Sequence, residues 1–166
     1  MRKLLITTLV FFSVNIHAIN DIALLKWATK NTMAAFNYNA LNFKEKLSSL
    51  QSEFTTEGWQ RYKQALNESG NIDYVIEHNL IVTGQINGTP TINHLTATNS
   101  AKEEWQVTIP ALVLYLNEYF TVTQEITTQV TVEKMSGSDK YAISDINSSL
   151  NKPITISKIT PSKPKS

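Results

Sequence analysis

The chain has 166 residues, of which 42% are hydrophobic and 17% are charged, and its formal net charge is +1. These values are typical of one soluble globular domain and exclude a disordered chain, a fibrous repeat and a strongly basic nucleic-acid-binding surface. The absence of cysteine excludes a disulfide framework, a thiolate zinc site, a cysteine nucleophile and a lipid-anchored amino-terminal cysteine.

The amino terminus has the pattern of a secretory signal peptide. Arg2 and Lys3 precede an apolar run from Leu4 to about Val14, and the small residue Ala18 follows at a suitable cleavage position. An uncleaved membrane anchor is the alternative, but this run is shorter than the roughly 20 residues that a membrane-spanning helix needs. We predict a signal peptide at residues 1–18 and an exported protein with no integral membrane span after cleavage. The periplasm is the expected location, with secretion from the cell as the alternative.

Two helices are predicted first in the mature chain. The first runs from Asn20 to about Phe36, with Asn20 or Asp21 as its cap, because apolar residues recur there at steps of three and four. Its expected apolar stripe is Ile22, Leu25, Thr29, Met33 and Phe36. The second helix covers Asn42 to Gln51, and its apolar side is Phe43, Leu47 and Leu50.

A third helix is predicted to begin in the segment Phe54-Thr55-Thr56-Glu57-Gly58-Trp59. Thr55 is in position to cap the helix, and Phe54 and Trp59 are spaced as a hydrophobic staple. The helix is expected to end at Ser69-Gly70, where glycine supplies a left-handed cap. Its apolar face is Trp59, Tyr62 and Leu66.

After Gly70 the hydrophobic period changes from about 3.6 to 2, and the content of Ile, Val, Thr and Tyr rises, which predicts strands. The first is a long strand with Ile72, Tyr74, Ile76, His78, Leu80 and Val82 on one side, ending at the turn Asn87-Gly88. The further strands are expected at Pro90–Ala97, Trp105–Leu116, Phe120–Glu133 and Tyr141–Ile146.

The carboxyl terminus is predicted to be a mobile tail. Residues 151–166 contain three prolines, four lysines and no acidic residue. One interpretation is an ordinary solubilising end. The other is an arm that contacts an acidic partner or anionic lipid head groups.

The order of the elements predicts an α+β fold. Three amino-terminal helices would pack on a curved antiparallel sheet of about four strands, in one domain at residues 19–150. The cone-shaped architecture of nuclear transport factor 2 or of cystatin fits this order.

The segment Phe54–Trp59 has the pattern "FT..GW", and the segment Trp105–Pro110 has the pattern "W.V..P". With other motif residues before, between and after them, these two most specific segments resemble the DotI/IcmL/TraM family over most of residues 20–135. The resemblance implies a periplasmic domain similar to the VirB8 group and a non-enzymatic assembly role in type IV-B secretion or conjugation, without catalytic, cofactor or metal residues. The motif residues, expected in the core or at an interface, are Trp27, Phe36, Phe54, Thr55, Gly58, Trp59, Leu66, Pro90, Trp105, Pro110 and Gln124.

The amino terminus departs from the family. Its core members carry a cytoplasmic segment and a membrane-spanning helix before the periplasmic domain, whereas this chain begins with a short predicted signal. The chain therefore resembles a stand-alone periplasmic version. It could be a structural subunit, an accessory factor or a paralogue with another partner.

Residues for catalysis or metal binding are few. Past the predicted signal the chain has only two histidines, His78 and His94, which could meet across a hairpin but have no third ligand. Asp73 with Tyr74 or Tyr115 is a conceivable acid-base pair by fold analogy alone. Phosphate-binding, GxSxG and HExxH motifs are absent.

These observations leave one main hypothesis and two rivals. The main hypothesis is a non-enzymatic protein that binds other envelope or secretion-system proteins, or copies of itself, through a surface such as the threonine-rich strand Phe120–Val132 if that strand lies at a sheet edge. A plain solvent face is the alternative for that strand. The rivals are a periplasmic small-molecule binder or minor enzyme using the cone pocket, and a secreted effector or adhesin.

Overall fold

The computed structural model describes residues 16–95 and 103–159, with only the backbone described for residues 16–20. Within these ranges the α-helices are Ile16–Ala34 (α1), Phe43–Leu50 (α2), Thr56–Glu68 (α3) and Asn71–Glu77 (α4), and a 3₁₀ turn covers Gln51–Glu53. The strands are Tyr38–Asn39 (β1), Ile81–Ile86 (β2), Thr91–Leu95 (β3), Glu104–Leu116 (β4), Phe120–Lys134 (β5), Tyr141–Leu150 (β6) and Thr155–Lys158 (β7).

The strands form one antiparallel sheet in the order β1-β2-β4-β5-β6. Two short strands extend it lengthwise: β3 pairs with β4 beyond the end of β2, and β7 pairs with β5 beyond the end of β6. The sheet curls into a half-barrel with the helices against its inner face. The predicted α+β fold is confirmed, and the described residues contain four α-helices where the sequence predicted three.

The centre of the sheet is the long hairpin of β4 and β5. Odd-numbered residues of β4 from Trp105 to Tyr115 are buried, and they alternate with half-buried even-numbered residues. On β5, the inward face consists of Val122, Ile126, Val130 and Val132, which are all buried. This alternation, with one face toward the helices, is what a half-buried sheet requires.

Pro110 is accommodated within β4 by a gap in the neighbouring strands. Ile86 of β2 pairs with Ala111, and Thr91 of β3 pairs with Thr108, so the β2–β3 turn lies opposite Pro110. The Asn87 backbone N–H donates to the Pro110 carbonyl at 2.9 Å. A proline, which lacks an N–H, is therefore tolerated at this point of a central strand.

The predicted stripe of α1 is correct in part. Thr29 is buried, and Leu25, Met33 and Phe36 are partly buried against the core, but Ile22 is 59% exposed. The most buried residues are Leu24, Ala28, Thr32 and, just after the helix, Ala35. Small residues at the last three positions let the helix axis approach the strands closely. Because these residues are weakly hydrophobic, the sequence pattern favoured their larger neighbours instead. The helix also begins at Ile16, so Asn20 and Asp21 do not cap it.

The predicted long strand beginning at Ile72 is wrong in its first half. Residues Asn71–Glu77 form α4, which follows the left-handed Gly70 (φ +64°) and buries Val75 completely. Only Ile81–Ile86 is a strand. Short apolar runs fit both periods, and the packing of Val75 and Leu80 in the core decides in favour of the helix.

The prediction of a tail from Asn151 also differs from the structure. The Asn151 N–H donates to the Glu125 carbonyl at 2.8 Å, and the Ile159 N–H donates to the Tyr119 carbonyl at 2.9 Å. Between them β7 pairs with residues 120–123 of β5. The chain to Ile159 is thus part of the sheet, and the remainder of the predicted tail lies outside the described residues.

Two threonines on the buried side of α1 carry hydroxyls with no hydrogen-bond partner among the described residues, namely Thr29 and Thr32. An unsatisfied buried hydroxyl costs about 1 kcal/mol or more. We expect Thr32→Val to raise the free energy of unfolding by about 1 kcal/mol and the melting temperature by roughly 2–4 °C. Thermal unfolding followed by circular dichroism measures this.

The matched control is the same substitution at Thr128, which is equally buried on β5. Its Oγ1 lies 2.9 Å from the Ser148 Oγ in a hydrogen bond. Thr128→Val should lower the melting temperature because it breaks this bond and leaves the serine unpaired. A stabilising effect at both positions, or at neither, would contradict the assignment of Thr32 as unsatisfied.

Candidate binding cleft between α3 and β6

The first turn of α3 is fixed to β6 by the motif that the sequence predicted. The Thr55 Oγ1 accepts a hydrogen bond from the Gly58 N–H at 3.0 Å, which confirms Thr55 as the cap. The Thr55 N–H donates to the Ile143 carbonyl at 2.9 Å. The rings of Phe54 and Trp59 lie 5.4 Å apart at their centroids, which is the contact of the predicted hydrophobic staple. The start of α3 is therefore attached directly to β6.

Gly58 and Arg61 complete this attachment. A Cβ atom at Gly58 would lie 2.6 Å from the Ile143 carbonyl oxygen and 2.8 Å from that of Ser144, so only glycine fits. The Arg61 guanidinium donates to the Ser144 carbonyl and lies 3.4 Å from the Asp145 carboxylate. The first half of α3 thereby covers the outer edge of β6 at residues 143–145.

Beyond Arg61, α3 and β6 separate and leave an open cavity of about 280 Å³. A second cavity of about 270 Å³ continues from it over the inner face of the sheet. They share Phe36, Asn71, Tyr115 and Ser148 as walls. We call the two together the α3–β6 cleft. Its helical wall is Tyr62, Ala65, Leu66, Ser69 and Asn71, and its strand wall is Ile146, Asn147, Ser148, Ser149 and Leu150.

Three tyrosines line the first cavity: Tyr38 from β1, Tyr62 from α3 and Tyr115 from β4. Their hydroxyls make no hydrogen bond to another described residue, and they are not among the fully buried atoms without a partner, so they reach solvent. Burial, with a smaller contribution from the neighbouring Tyr115, raises the pKa of Tyr62 to about 12. Burial likewise raises the pKa of Tyr38 and of Tyr115 above the usual value. The cleft thus presents three neutral phenols that are free to bond to a ligand or to water.

The raised tyrosine pKa values make the protein sensitive to alkali. An unfolded tyrosine ionises near pH 10, whereas folded Tyr62 keeps its proton to about pH 12. Raising the pH between these values therefore favours the unfolded state, at up to about 1.4 kcal/mol per pH unit for this one group. We expect Tyr62→Phe to flatten the fall in unfolding free energy measured by urea titration at pH 10 and pH 11. Equal slopes for both proteins would contradict this.

The cleft is electrically neutral. Among the described residues, no aspartate, glutamate, lysine, arginine or histidine lines either of its cavities. By contrast, a cavity of about 460 Å³ at the β5–β6 turn is lined by Glu103, Lys134 and Asp139. Another, of about 640 Å³ at the β4–β5 turn, includes His78 and Glu118. The neutral lining restricts what the cleft can hold, because a charged group would lose its hydration without gaining a counterion.

The motif residues from the sequence divide between core and cleft. Phe54, Thr55, Gly58, Trp59 and Trp105 are buried. Phe36, Leu66 and Gln124 line the cleft, and Phe36 packs directly over Gly84, where a Cβ would lie 2.7 Å from its own. The remaining three are half-buried: Trp27, whose Nε1 donates to Glu53 at 3.2 Å, Pro90, and Pro110, which packs against Gly88.

The residues considered for catalysis are not brought together. His78 ends α4 beside Phe120, whereas His94 lies beside Trp105 at the opposite end of β4, so the two histidines do not meet. Asp73 is exposed on α4, and it does not line the cleft that holds Tyr115. Within the described residues no group of three metal-binding side chains occurs.

The threonine-rich strand cannot act by edge pairing. It is β5, which pairs with β4 along one side and with β6 and β7 along the other. Its backbone hydrogen-bonding groups are therefore already used by neighbouring strands. The described part of the sheet instead has a free edge along the second half of β6, which forms one wall of the cleft.

Sequence patterns missed part of the cleft. Tyr38 lies in Asn37-Tyr38-Asn39, a segment that looked like a connection between helices, and Ser148 and Ser149 lie beyond the predicted end of the last strand. Only the pairing of β6 with β5 reveals that the strand continues to Leu150. The sequence signal that could have indicated a role for Tyr38 was its position between two asparagines, in a short segment that separates two apolar stretches.

Comparison with known proteins assigns the family. The sequence profile described as "Type-IV b secretion system, inner-membrane complex component", DotI/IcmL, matches residues 8–153. The chain belongs to the DotI/IcmL family. No functionally curated protein matches it. Within the described residues, no helix of this family member has the length and hydrophobicity needed to cross a membrane.

Solved structures agree with this assignment. The periplasmic domain of DotI is 28% identical over 78% of this chain and 94% of that one, with a TM-score of 0.73. An IcmL-like type IV secretion system protein from Legionella pneumophila is 22% identical, covering 80% and 94%, with a TM-score of 0.71. A periplasmic fragment of TraM is 17% identical, covering 78% and 96%, with a TM-score of 0.66. The last two share the fold.

Proposed function

We propose that this DotI/IcmL-family protein is exported to the periplasm and acts there without catalysis, by binding other proteins of a type IV-B secretion or conjugation apparatus. Its family membership carries the proposal, because the matching profile describes an inner-membrane complex component. The likeness to the DotI periplasmic domain, which the chain covers almost completely, supports the periplasmic location.

The interior of the half-barrel supports a binding rather than a catalytic role. Val107, Ile109, Val113 and Val130 on the inner face of β4 and β5 are at most 1% exposed, so the deep part of the fold is filled by aliphatic side chains. The cavities lie at its rim, where a partner surface can reach them.

Affinity purification from crosslinked cells of the native host tests the proposal. The chain carries a carboxyl-terminal tag, and an unrelated periplasmic protein with the same tag and signal is the control. We expect enrichment of inner-membrane or core proteins of the secretion apparatus over this control. An untagged second copy in the same sample would reveal self-association. No enrichment of envelope proteins at saturating crosslinking would overturn the proposal.

Export is tested separately. The intact mass of the purified protein should match a chain that begins at Ile19, because the predicted cleavage follows Ala18. The protein should also be digested by protease added to spheroplasts. A mass that includes Met1, together with full protection from protease, would contradict export.

A second function is favoured by one observation, the three unpartnered phenols of the cleft. A periplasmic small-molecule binder needs a concave apolar site with a few polar groups, and the first cavity is near the lower end of the usual ligand-site volume of about 300 Å³. Native mass spectrometry of the protein purified from its host distinguishes this function. A stoichiometric adduct below about 1 kDa, lost on denaturation, would support it.

A further inference from the structure

We propose that the α3–β6 cleft binds an extended, uncharged segment of a partner protein, which adds as a new strand to the outer edge of β6. The inference rests on the proposed function, because it assigns one surface to the protein contacts that the function requires. Three observations carry it: a free strand edge, a helix that diverges from that edge, and a neutral lining.

The free edge is the second half of β6. Along one edge, β6 pairs with β5 as far as the Ile126–Leu150 pair. Along its other edge, which we call the outer edge, no strand pairs with it within the described residues. The first half is covered, because Thr55 and Arg61 donate to the carbonyls of Ile143 and Ser144. In the part of the chain that the structure describes, α3 donates no hydrogen bond to the carbonyls of residues 146–150. Five residues of edge can pair with a segment about 17 Å long.

This edge also lacks the features that usually prevent strand addition. Edge strands are normally protected by lysine, by proline or by inward-pointing charges. The sequence Ile146-Asn147-Ser148-Ser149-Leu150 contains none of these. Farther along the same side of the sheet, Pro153 precedes β7 and Lys158 ends it. The unprotected part of the edge therefore coincides with the cleft.

The opposite wall gives the cleft the shape that strand addition needs. α3 is in contact with β6 at Gly58, and farther along it is separated from the strand by the first cavity. A groove between a strand edge and a helix lets a peptide pair its backbone with the strand and insert alternate side chains toward the helix. Here those side chains would meet Tyr62, Ala65 and Leu66.

The lining decides the chemistry of the inserted side chains. Because none of the described residues that line the cleft is charged, an inserted lysine or glutamate would be desolvated without an ion pair. Aliphatic, aromatic or small hydroxyl side chains fit. The phenols of Tyr38, Tyr62 and Tyr115 can then donate hydrogen bonds to carbonyl or hydroxyl oxygens of the segment in place of water.

Site-specific photo-crosslinking in the native host tests the proposal. Benzoylphenylalanine is placed at Ala65 on the helical wall or at Ser149 on the strand wall, and at exposed Gln60 of α3 as the control, which does not line the cleft. We expect the first two positions to crosslink to one short segment of the same envelope protein, without charged residues at alternate positions. Gln60 should not crosslink to that segment.

A binding measurement with that segment as a synthetic peptide completes the test. We expect the purified protein to bind the peptide, and Ala65→Lys to weaken binding at least tenfold, because it puts a charged chain into the neutral cleft. The control Gln60→Lys adds the same charge outside the cleft and should leave the affinity unchanged. Both positions are exposed, so both variants should fold as the wild type does.

The outcomes separate this proposal from the proposed function. If affinity purification recovers secretion-system proteins but the cleft positions crosslink to none of them, the function stands and the cleft assignment is wrong. If Ala65→Lys and Gln60→Lys bind the peptide equally well, strand addition at β6 is also wrong. A small non-peptide molecule found in the cleft by native mass spectrometry would replace the peptide as its occupant.

Discussion

Gly58→Ala should lower the free energy of unfolding by about 2 kcal/mol or more. The new Cβ would lie 2.6 Å from the Ile143 carbonyl oxygen and 2.8 Å from that of Ser144, and both are backbone atoms that cannot turn aside. Such an overlap lowers the free energy of unfolding by about 3 kcal/mol, and the better helix propensity of alanine offsets about 1 kcal/mol of this loss. Urea unfolding followed by tryptophan fluorescence measures the difference.

Gln60→Ala is the matched control, because Gln60 is exposed on the same helix. It should change the unfolding free energy by no more than about 0.5 kcal/mol. To relieve the overlap in Gly58→Ala, α3 must move away from β6, so the width of the cleft should change as well. Equal stability of Gly58→Ala and the wild type would mean that helix and strand are not in direct contact.

Trp105→Ala should be more damaging, with an expected loss of about 3–5 kcal/mol. Trp105 is buried at the start of β4, where its ring packs edge-on against Tyr141 at 5.6 Å and against His94 at 5.3 Å. Removing it leaves a large cavity between α1 and the sheet. Because a domain is typically stable by only about 5–15 kcal/mol, much of the protein would unfold at moderate temperature.

Two further variants separate cavity formation from other effects of this substitution. Trp105→Phe keeps an aromatic ring and should recover more than half of the lost stability. Gln106→Ala changes the next residue, which points to the other face of β4, and should cost less than about 1 kcal/mol. Chemical denaturation of all three variants provides the comparison, and a Trp105→Ala protein with wild-type stability would contradict a packing role.

Local patterns predicted the elements whose signals are confined to neighbouring residues. The start of α3 was predicted from Phe54, Thr55 and Trp59. This was possible because a helix cap and a hydrophobic staple involve only residues that are close together in the sequence. The strands β4 and β5 were predicted from a period near 2 and a high content of Ile, Val, Thr and Tyr, and in both strands one face is buried against the helices. The family motifs were also visible in the sequence, and the profile match confirms the resemblance.

The segment from Asn71 to Val82 shows the limit of such patterns. The alternation of Ile72, Tyr74 and Ile76 suits a strand. In the structure, however, Val75 is the completely buried residue of this segment, and it is buried because the segment forms the helix α4. A few apolar residues fit either period, so a long-range contact has to decide between them. The buried face of α1 was decided in the same way.

Sequence patterns could not predict the cleft for a similar reason. Its walls come from α3, β6 and the tyrosines of three separate elements, and no local pattern reports that Tyr38, Tyr62 and Tyr115 face one cavity. The sequence by itself determined the α+β class, the start of α3, the central hairpin and the family. The tertiary structure alone decided which strand edge stays free, because strand order depends on pairings between residues far apart in the chain.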